Sequence, residues 1–160
     1  MDCVPARSDI RRDLVAILPR LRRFALALCR DESRIEHLLG KACEEAVSRT
    51  VELQGDARLD LCLFSILRRL ARQDAHKLKL AEQENSGRKA AMKAARSSRL
   101  IIDMLAEDSA AAFLLCAVEG LSYREAAAVM ATTEEAIAQS ILNARRELKA
   151  LAVNNSELRA

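Results

Sequence analysis

The sequence predicts an all-α protein, and three observations predict it. Hydrophobic residues make up 51% and charged residues 31%, which supplies both a core and a solvated surface. Aromatics are only 2%, namely Phe24, Phe64, Phe113 and Tyr123, with no tryptophan, and there are only four glycines and two prolines. Apolar positions recur at three- and four-residue spacing, the signature of amphipathic helices. A sandwich or barrel would need β-branched and aromatic strands with Gly/Pro turns, and a nucleotide-binding α/β domain would need glycine-rich loops, so both classes are excluded. A length of 160 residues accommodates one ordinary domain or two small ones.

The first helix is expected over residues 9–29, with Leu14, Ile17, Leu18, Leu21, Phe24, Ala25 and Leu28 on one face and Arg20, Arg22 and Arg23 opposite. Pro19 lies inside it and predicts a turn or kink. A second helix is expected to open at Ser33, where Glu36 three residues on completes a capping-box pattern. Its apolar stripe is Ile35, Leu38, Leu39, Ala42, Cys43, Ala46 and Val47, and Gln54-Gly55-Asp56 ends the run. A third helix follows from about Ala57, burying Leu59, Leu63, Phe64, Ile66, Leu67, Leu70 and Ala71. Its far end is basic, with Arg68, Arg69, Arg72, Lys77 and Lys79.

The spacing predicts a helical domain over residues 9–80 and a basic, flexible linker over 81–99, where large apolar residues almost vanish. A second helical domain is expected over 100–152, and 153–160 form a frayed tail. The second domain starts with a short helix carrying Leu100, Ile101, Met104 and Leu105, followed by a helix over 109–119 that Gly120 stops. Ser122 with Glu125 is a capping box for a helix over 123–130, and Thr132 with Glu135 has the same form before a helix running to about Leu151. Helix, Gly-Leu-Ser, short helix, three-residue turn and longer helix is the layout of a helix-turn-helix, with its recognition helix starting near Glu134.

Five cysteines are dispersed, odd in number and without a C-x-x-C pair. They read as small buried hydrophobes in a reducing, cytoplasmic setting rather than as metal ligands or a disulfide framework. No apolar run reaches membrane-spanning length, and residues 1–12 lack a signal core. His37 and His76 have no acid or cysteine at triad or ligand spacing, so no catalytic residue, metal site, cofactor or small-molecule substrate is expected.

Ala-Val-Glu-Gly-Leu-Ser-Tyr-Arg-Glu-Ala-Ala at 117–127 and Asn-Ala-Arg-Arg-Glu-Leu at 143–148 resemble region 4 of the extracytoplasmic-function RNA polymerase sigma factors. Leu-Pro-Arg-Leu-Arg-Arg-Phe-Ala-Leu-Ala-Leu at 18–28 resembles the opening of their region 2, and Leu-Phe-Ser-Ile-Leu-Arg-Arg-Leu at 63–70 resembles their promoter-melting helix. The pieces span residues 10–152 in the family's order, closest to its general-stress-response branch. The resemblance implies two helical domains that clamp core RNA polymerase and bind promoter DNA, together with an anti-sigma factor as regulator. It implies polymerase contacts at Glu36, Leu38, Leu39 and Lys41, and DNA contacts at Arg68, Arg69, Arg72, Lys77 and Lys79. In the second domain it implies DNA contacts at Arg124, Gln139, Ser140, Asn143, Arg145 and Arg146.

The chain departs from the family at several of these motifs. The recognition helix of the family begins close to Gly-x-Pro-x-Gly-Thr-Val-Lys-Ser-Arg, and this chain has Ala131-Thr-Thr-Glu-Glu-Ala-Ile137-Ala-Gln-Ser140. Ala138 and Ser140 stand where a lysine and an arginine would meet DNA, and Glu134 and Glu135 put negative charge where phosphates would lie. The family's Asp-Asp-Leu-Val-Gln-Glu-Thr reads Glu36-His37-Leu38-Leu39-Gly40-Lys41-Ala42, and its region 2 tryptophan is Cys62. Charge is also uneven. Residues 1–57 carry 10 basic and 10 acidic groups, residues 58–99 carry 11 and 4, and residues 100–160 carry 5 and 9. The helix-turn-helix half is therefore net −4 inside a chain of net +3, unusual for a reader of duplex DNA. Two other readings stay open at this point: a sigma-like mimic that sequesters an anti-sigma factor, and a stand-alone helix-turn-helix repressor that dimerises through its N-terminal unit.

Overall fold

The computed structural model describes residues 7–29, 31–49, 58–84 and 105–157. Every regular element among them is helical: α1 (Arg7–Leu28), α2 (Glu32–Ser48), α3 (Leu59–Glu84), α4 (Glu107–Phe113) continuing as a π-helical turn (Leu114–Val118), α5 (Tyr123–Met130) and α6 (Glu134–Glu157). Helices α1, α2 and α3 pack against one another, and α6 packs on α4 and α5. The two groups are not held apart: α1 lies against α4 and the π turn, and α3 lies against α5. One apolar core runs through both, with Leu21, Phe24, Ile35, Leu63, Phe64 and Leu67 on one side and Leu105, Leu114, Leu115 and Ile137 on the other. Phe24 and Phe64 meet edge to face at 5.3 Å, the favoured geometry for two ring quadrupoles.

Several local expectations change. Pro19 neither starts a turn nor ends α1, which continues through it as one helix. The proline sits on the exposed face, one turn after exposed Val15, so the Val15 carbonyl that loses its partner lies on the side of water. Leu14, Ile17, Leu21 and Phe24, buried on either side, hold the helix together across it. Helix α2 begins one residue before Ser33. Asp31 is its N-cap and accepts from the Ser33 and Arg34 backbone N–H groups at 3.0 and 3.4 Å, so the Ser33 capping box does not form. In α6 the cap is Thr133 rather than Thr132, with the Ala136 N–H donating to its hydroxyl at 3.2 Å. The Ser122–Glu125 box forms in full: the Ser122 N–H donates to Glu125 Oε2 at 2.8 Å and the Glu125 N–H donates to Ser122 Oγ at 3.2 Å.

The helix expected over 109–119 starts earlier and ends as the π turn, where Val118 is exposed. Gly120 then stops it at φ 73°. Helix α3 runs on to Glu84, four residues into the expected linker, and α6 runs to Glu157, into the expected tail. Residues 85–104, which hold most of that linker and the short helix expected around Leu100, lie outside the described residues. Val47, expected in the α2 stripe, is exposed at the helix end. Cys29 is buried and Cys43, Cys62 and Cys116 are half-buried, all with free thiols. Burial pushes the Cys43 and Cys116 thiols above their ordinary range, which favours the protonated form. No helix among the described residues is long and apolar enough to cross a membrane.

Candidate nucleic-acid interface

The candidate surface is built on α3 and on the α5–α6 helix-turn-helix. Helix α3 buries Leu63, Phe64, Ile66, Leu67 and Ala71, which turns Arg69, Arg72, Lys77 and Lys79 to solvent. Arg72, Gln73, His76 and Lys77 line a shallow basic depression of about 490 Å³. Arg69 is not free, since its guanidinium pairs with Glu45 of α2. Arg34 ties the same two helices, donating through Nε and Nη2 to Asp74 Oδ2 at 2.9 and 2.7 Å.

Arg68 departs most from expectation. It belongs to the basic stripe, yet it points inward and its side chain is 9% exposed. Its Nη1 donates to Glu107 at 3.0 Å and its Nη2 to Asp108 at 2.5 Å, both at the start of α4. In this arrangement it offers DNA nothing. Two hydrogen bonds to carboxylates from another part of the chain outcompete exposure to water.

The helix-turn-helix is local in origin. Ser122 and Glu125 cap α5, and Ala131 closes it in the left-handed region at φ 52°, ψ 52°. Thr133 caps α6, and Ile137, Ile141 and Ala144 bury one face of that helix. Gln139, Asn143 and Arg146 fall at i, i+4 and i+7 on another face, with the Gln139 side-chain amide donating to Asn143 Oδ1 at 3.0 Å. Arg145 and Arg146 are exposed. Ser140 turns instead toward α3: it lines a cavity of about 280 Å³ together with Arg68, Arg72, Asp108, Thr132 and Ile137. Arg124 borders a groove of about 510 Å³ whose other wall includes Thr133, Glu134 and Glu135.

The start of α6 would ordinarily suit a phosphate. Here two of its donors are taken. Thr133 holds the Ala136 N–H, and the Glu135 carboxyl is held below its ordinary value by its own backbone N–H and by the Thr133 hydroxyl. Of the expected polymerase contacts, Glu36 is exposed and pairs with Arg22 at 2.6 Å, and Lys41 is exposed. Leu38 and Leu39 are 3% and 6% exposed, so their side chains are core rather than a docking surface, because both fall on the stripe that α2 turns inward.

Sequence reasoning missed the ion pairs that join the two helical groups. Arg20 Nε donates to Glu119 Oε2 at 2.5 Å, and Arg23 Nη2 donates to Glu119 Oε1 at 2.8 Å. Arg20 also lies 5.5 Å over the Phe64 ring, a cation–π contact. Burial pushes the Glu119 carboxyl up, but hydrogen bonds and charge from both arginines outweigh it and hold the carboxyl below its ordinary range. Arg58, beside Asp60 at 2.9 Å, also pairs with Glu125 of the α5 capping box. The opposed net charges of residues 58–99 and 100–160 were the available signal for the Arg58–Glu125 pair, whereas Arg20 and Arg23 lie in the neutral 1–57 stretch and carried none.

Comparison with known proteins agrees with this architecture. Residues 99–148 match the family model described as sigma-70, region 4. The chain is 28% identical over 158 residues to the ECF RNA polymerase sigma factor EcfG of Rhodopseudomonas palustris (strain TIE-1), covering 92% of this chain and 87% of that protein. Its fold superposes with a TM-score of 0.78 and 25% identity on the sigma factor RpoE of Bartonella quintana, solved in complex with the anti-sigma factor NepR, covering 90% of this chain and 96% of that one. CnrH, solved in complex with the cytosolic domain of CnrY, shares the fold with a TM-score of 0.67 and 20% identity, covering 94% of this chain and 91% of CnrH. The region 4 match, the near-full-length relative and the shared two-part helical fold make the chain similar to the extracytoplasmic-function sigma factors.

Proposed function

We propose that the chain acts in the cytoplasm as an extracytoplasmic-function sigma factor, binding core RNA polymerase and directing promoter-specific initiation, with an anti-sigma factor as its regulator. The observation that carries this reading is the helix-turn-helix of α5 and α6, intact in its caps and turn, inside the stretch matching sigma-70 region 4. In this reading residues 9–80 and 100–152 work as the two arms on either side of the 81–99 segment. The first arm engages polymerase through the exposed face of α2, at Glu36 and Lys41, with Leu38 and Leu39 setting the helix in place. Arg69, Arg72, Lys77 and Lys79 hold phosphates of the downstream promoter, joined by Arg68 once it is released. Gln139 and Asn143 face base edges of the upstream element, with Arg124, Ser140, Arg145 and Arg146 beside the backbone. The work is recruitment and strand capture rather than covalent chemistry.

The test is reconstitution of purified protein with core polymerase on promoter DNA, with a pull-down in parallel. The expected result is polymerase binding and a transcript of defined start. Absence of polymerase binding overturns the reading. Capture of an anti-sigma protein without polymerase binding favours the sequestering mimic instead.

A further inference from the structure

A cavity of about 280 Å³ lies where α3 meets the α5–α6 turn. Arg68 and Arg72 reach it from α3, Asp108 from α4, Thr132 from the turn and Ser140 from α6, while Ile137 supplies an apolar wall. Arg68 and Arg72 stand four residues apart, which stacks them on one face of the helix. Ser140 follows buried Ile137 by three residues, so α6 carries its hydroxyl on the inward side. The volume falls just under the roughly 300–1,000 Å³ of pockets that take drug-sized ligands, so a fitting occupant is small.

Arg68 carries the observation that points to a ligand. Its side chain is only 9% exposed. Its Nη1 is bonded to Glu107 and its Nη2 to Asp108, while the buried Nε has no partner. A buried N–H without an acceptor costs free energy that a ligand oxygen recovers. Both terminal nitrogens are already bonded, so an oxygen can take Nε and leave the two ion pairs in place. Arg72 is exposed and adds a second guanidinium beside it. It also lines the neighbouring depression with His76 and Lys77, so basic groups continue on that side. Guanidinium donors flanked by a hydroxyl match the oxygens of a phosphate. Asp108 has the opposite preference. A carboxylate has room for about four donors, and the one bond from Arg68 does not fill it. It suits hydroxyl groups. The lining therefore divides into an anion-holding side and a hydroxyl-holding side.

We propose that this cavity binds a small sugar phosphate, with the phosphate between Arg68 Nε, Arg72 and Ser140 and the sugar hydroxyls at Asp108 and Thr132. The site goes beyond transcription initiation and stands without it, because it uses only the groups of the cavity. A ligand held there bridges α3, α4 and α6 and stabilises the folded chain in proportion to its occupancy. A free sugar phosphate and a mononucleotide present the same chemistry to these groups, and titration separates them.

The test titrates the full chain with ribose 5-phosphate by isothermal titration calorimetry at fixed ionic strength. Ribose, inorganic phosphate and adenosine monophosphate are titrated in parallel. The expected result is saturable binding at one site, absent with ribose and several-fold weaker with inorganic phosphate. Arg72→Gln and Arg68→Lys should each weaken it about tenfold and Ser140→Ala about threefold, in line with hydrogen bonds to a charged partner. Arg12→Gln removes an exposed arginine of α1 outside the cavity and should leave binding unchanged. In proton–nitrogen correlation spectra the Arg68 Nε–H resonance, assigned by its loss in Arg68→Lys, should move on saturation. Arg72 is exposed and Ser140 half-buried, so their variants keep the test valid if Arg68→Lys unfolds the chain. Tighter binding of adenosine monophosphate assigns the site to a nucleotide, and tighter binding of ribose 5-phosphate to a free sugar phosphate. No saturable heat with either overturns the site. Binding that Arg12→Gln weakens as much as Arg72→Gln is general charge attraction and also overturns it. Inorganic phosphate binding as tightly as ribose 5-phosphate overturns the sugar half. A labelled duplex held through the same residues, with no binding of either sugar phosphate, assigns them to nucleic acid and overturns the small occupant.

Discussion

Two residues bracket α5 in the left-handed region of backbone space, and they predict opposite responses to substitution. Gly120 sits at φ 73° and Ala131 at φ 52°. An L-residue with a Cβ costs roughly 1–2 kcal/mol in that region. Glycine avoids this but loses roughly 0.5–1 kcal/mol more conformational entropy on folding. Ala131→Gly should therefore stabilise the protein by about 0.5–1 kcal/mol, since Ala131 is exposed and leaves no core void. Gly120→Ala should destabilise it by about the same amount. A Cβ built on Gly120 meets nothing within 4 Å, so its loss would come from backbone strain alone. Thermal unfolding by circular dichroism is the assay, with about 2–4 °C expected per kcal/mol for a chain of this size. Urea denaturation with an unchanged slope would confirm that stability, not denatured-state compactness, has moved. Shifts of the same sign in the two variants would refute the reasoning.

Further outcomes follow from the same structure. Gly40 lies exposed in the interior of α2 with open space around its Cα, so Gly40→Ala should raise stability by about 0.5–1 kcal/mol in the same melts. Ser122→Ala removes one half of the formed capping box and should cost about 1 kcal/mol, read by urea titration; a neutral effect would show that Glu125 alone carries the cap. Asp60 and Glu119 are both held below their ordinary values of 3.8 and 4.5. Burial opposes this in each, but arginine hydrogen bonds and charge outweigh it. Their contribution is complete above those values and is lost as pH falls below them. The unfolding midpoint should drop as pH falls below about 4.5, and Glu119→Gln should flatten that drop. Ala138→Lys with Ser140→Arg restores the cations of the family's recognition helix. On duplex DNA it should steepen the salt dependence by up to about 1.8, and an unchanged slope would mean that α6 does not meet phosphates at those positions.

Much of the candidate site was legible because its causes are local. The Ser122–Glu125 box, the stop at Gly120, the three-residue turn and the bounds Tyr123–Met130 of α5 follow from residues within one helical turn of each other. Errors arose where two local signals competed or where a tertiary contact overrode one. Ser33 reads as the N-cap of α2, and the packed helix places Asp31 there instead. Leu38 and Leu39 read as core by periodicity and as a docking surface by resemblance, and in the packed helix both side chains are buried. Pro19 reads as a turn or kink, yet α1 continues through it between buried residues on both sides.

The sequence by itself determined that the protein is helical, where the helix-turn-helix lies and that its charge is divided, with a basic α3 segment and an acidic second half. Composition, periodicity and capping are short-range properties, so one chain suffices to read them. Only the tertiary structure decided which charge meets which. Glu119 finds Arg20 and Arg23 nearly a hundred residues away, and Arg68 turns from the basic stripe of α3 toward Glu107 and Asp108 of α4. Spacing along the chain carries no information about such partners. They depend on how two helical groups dock, and that docking balances the burial of shared apolar faces against the desolvation of the charges brought together between them.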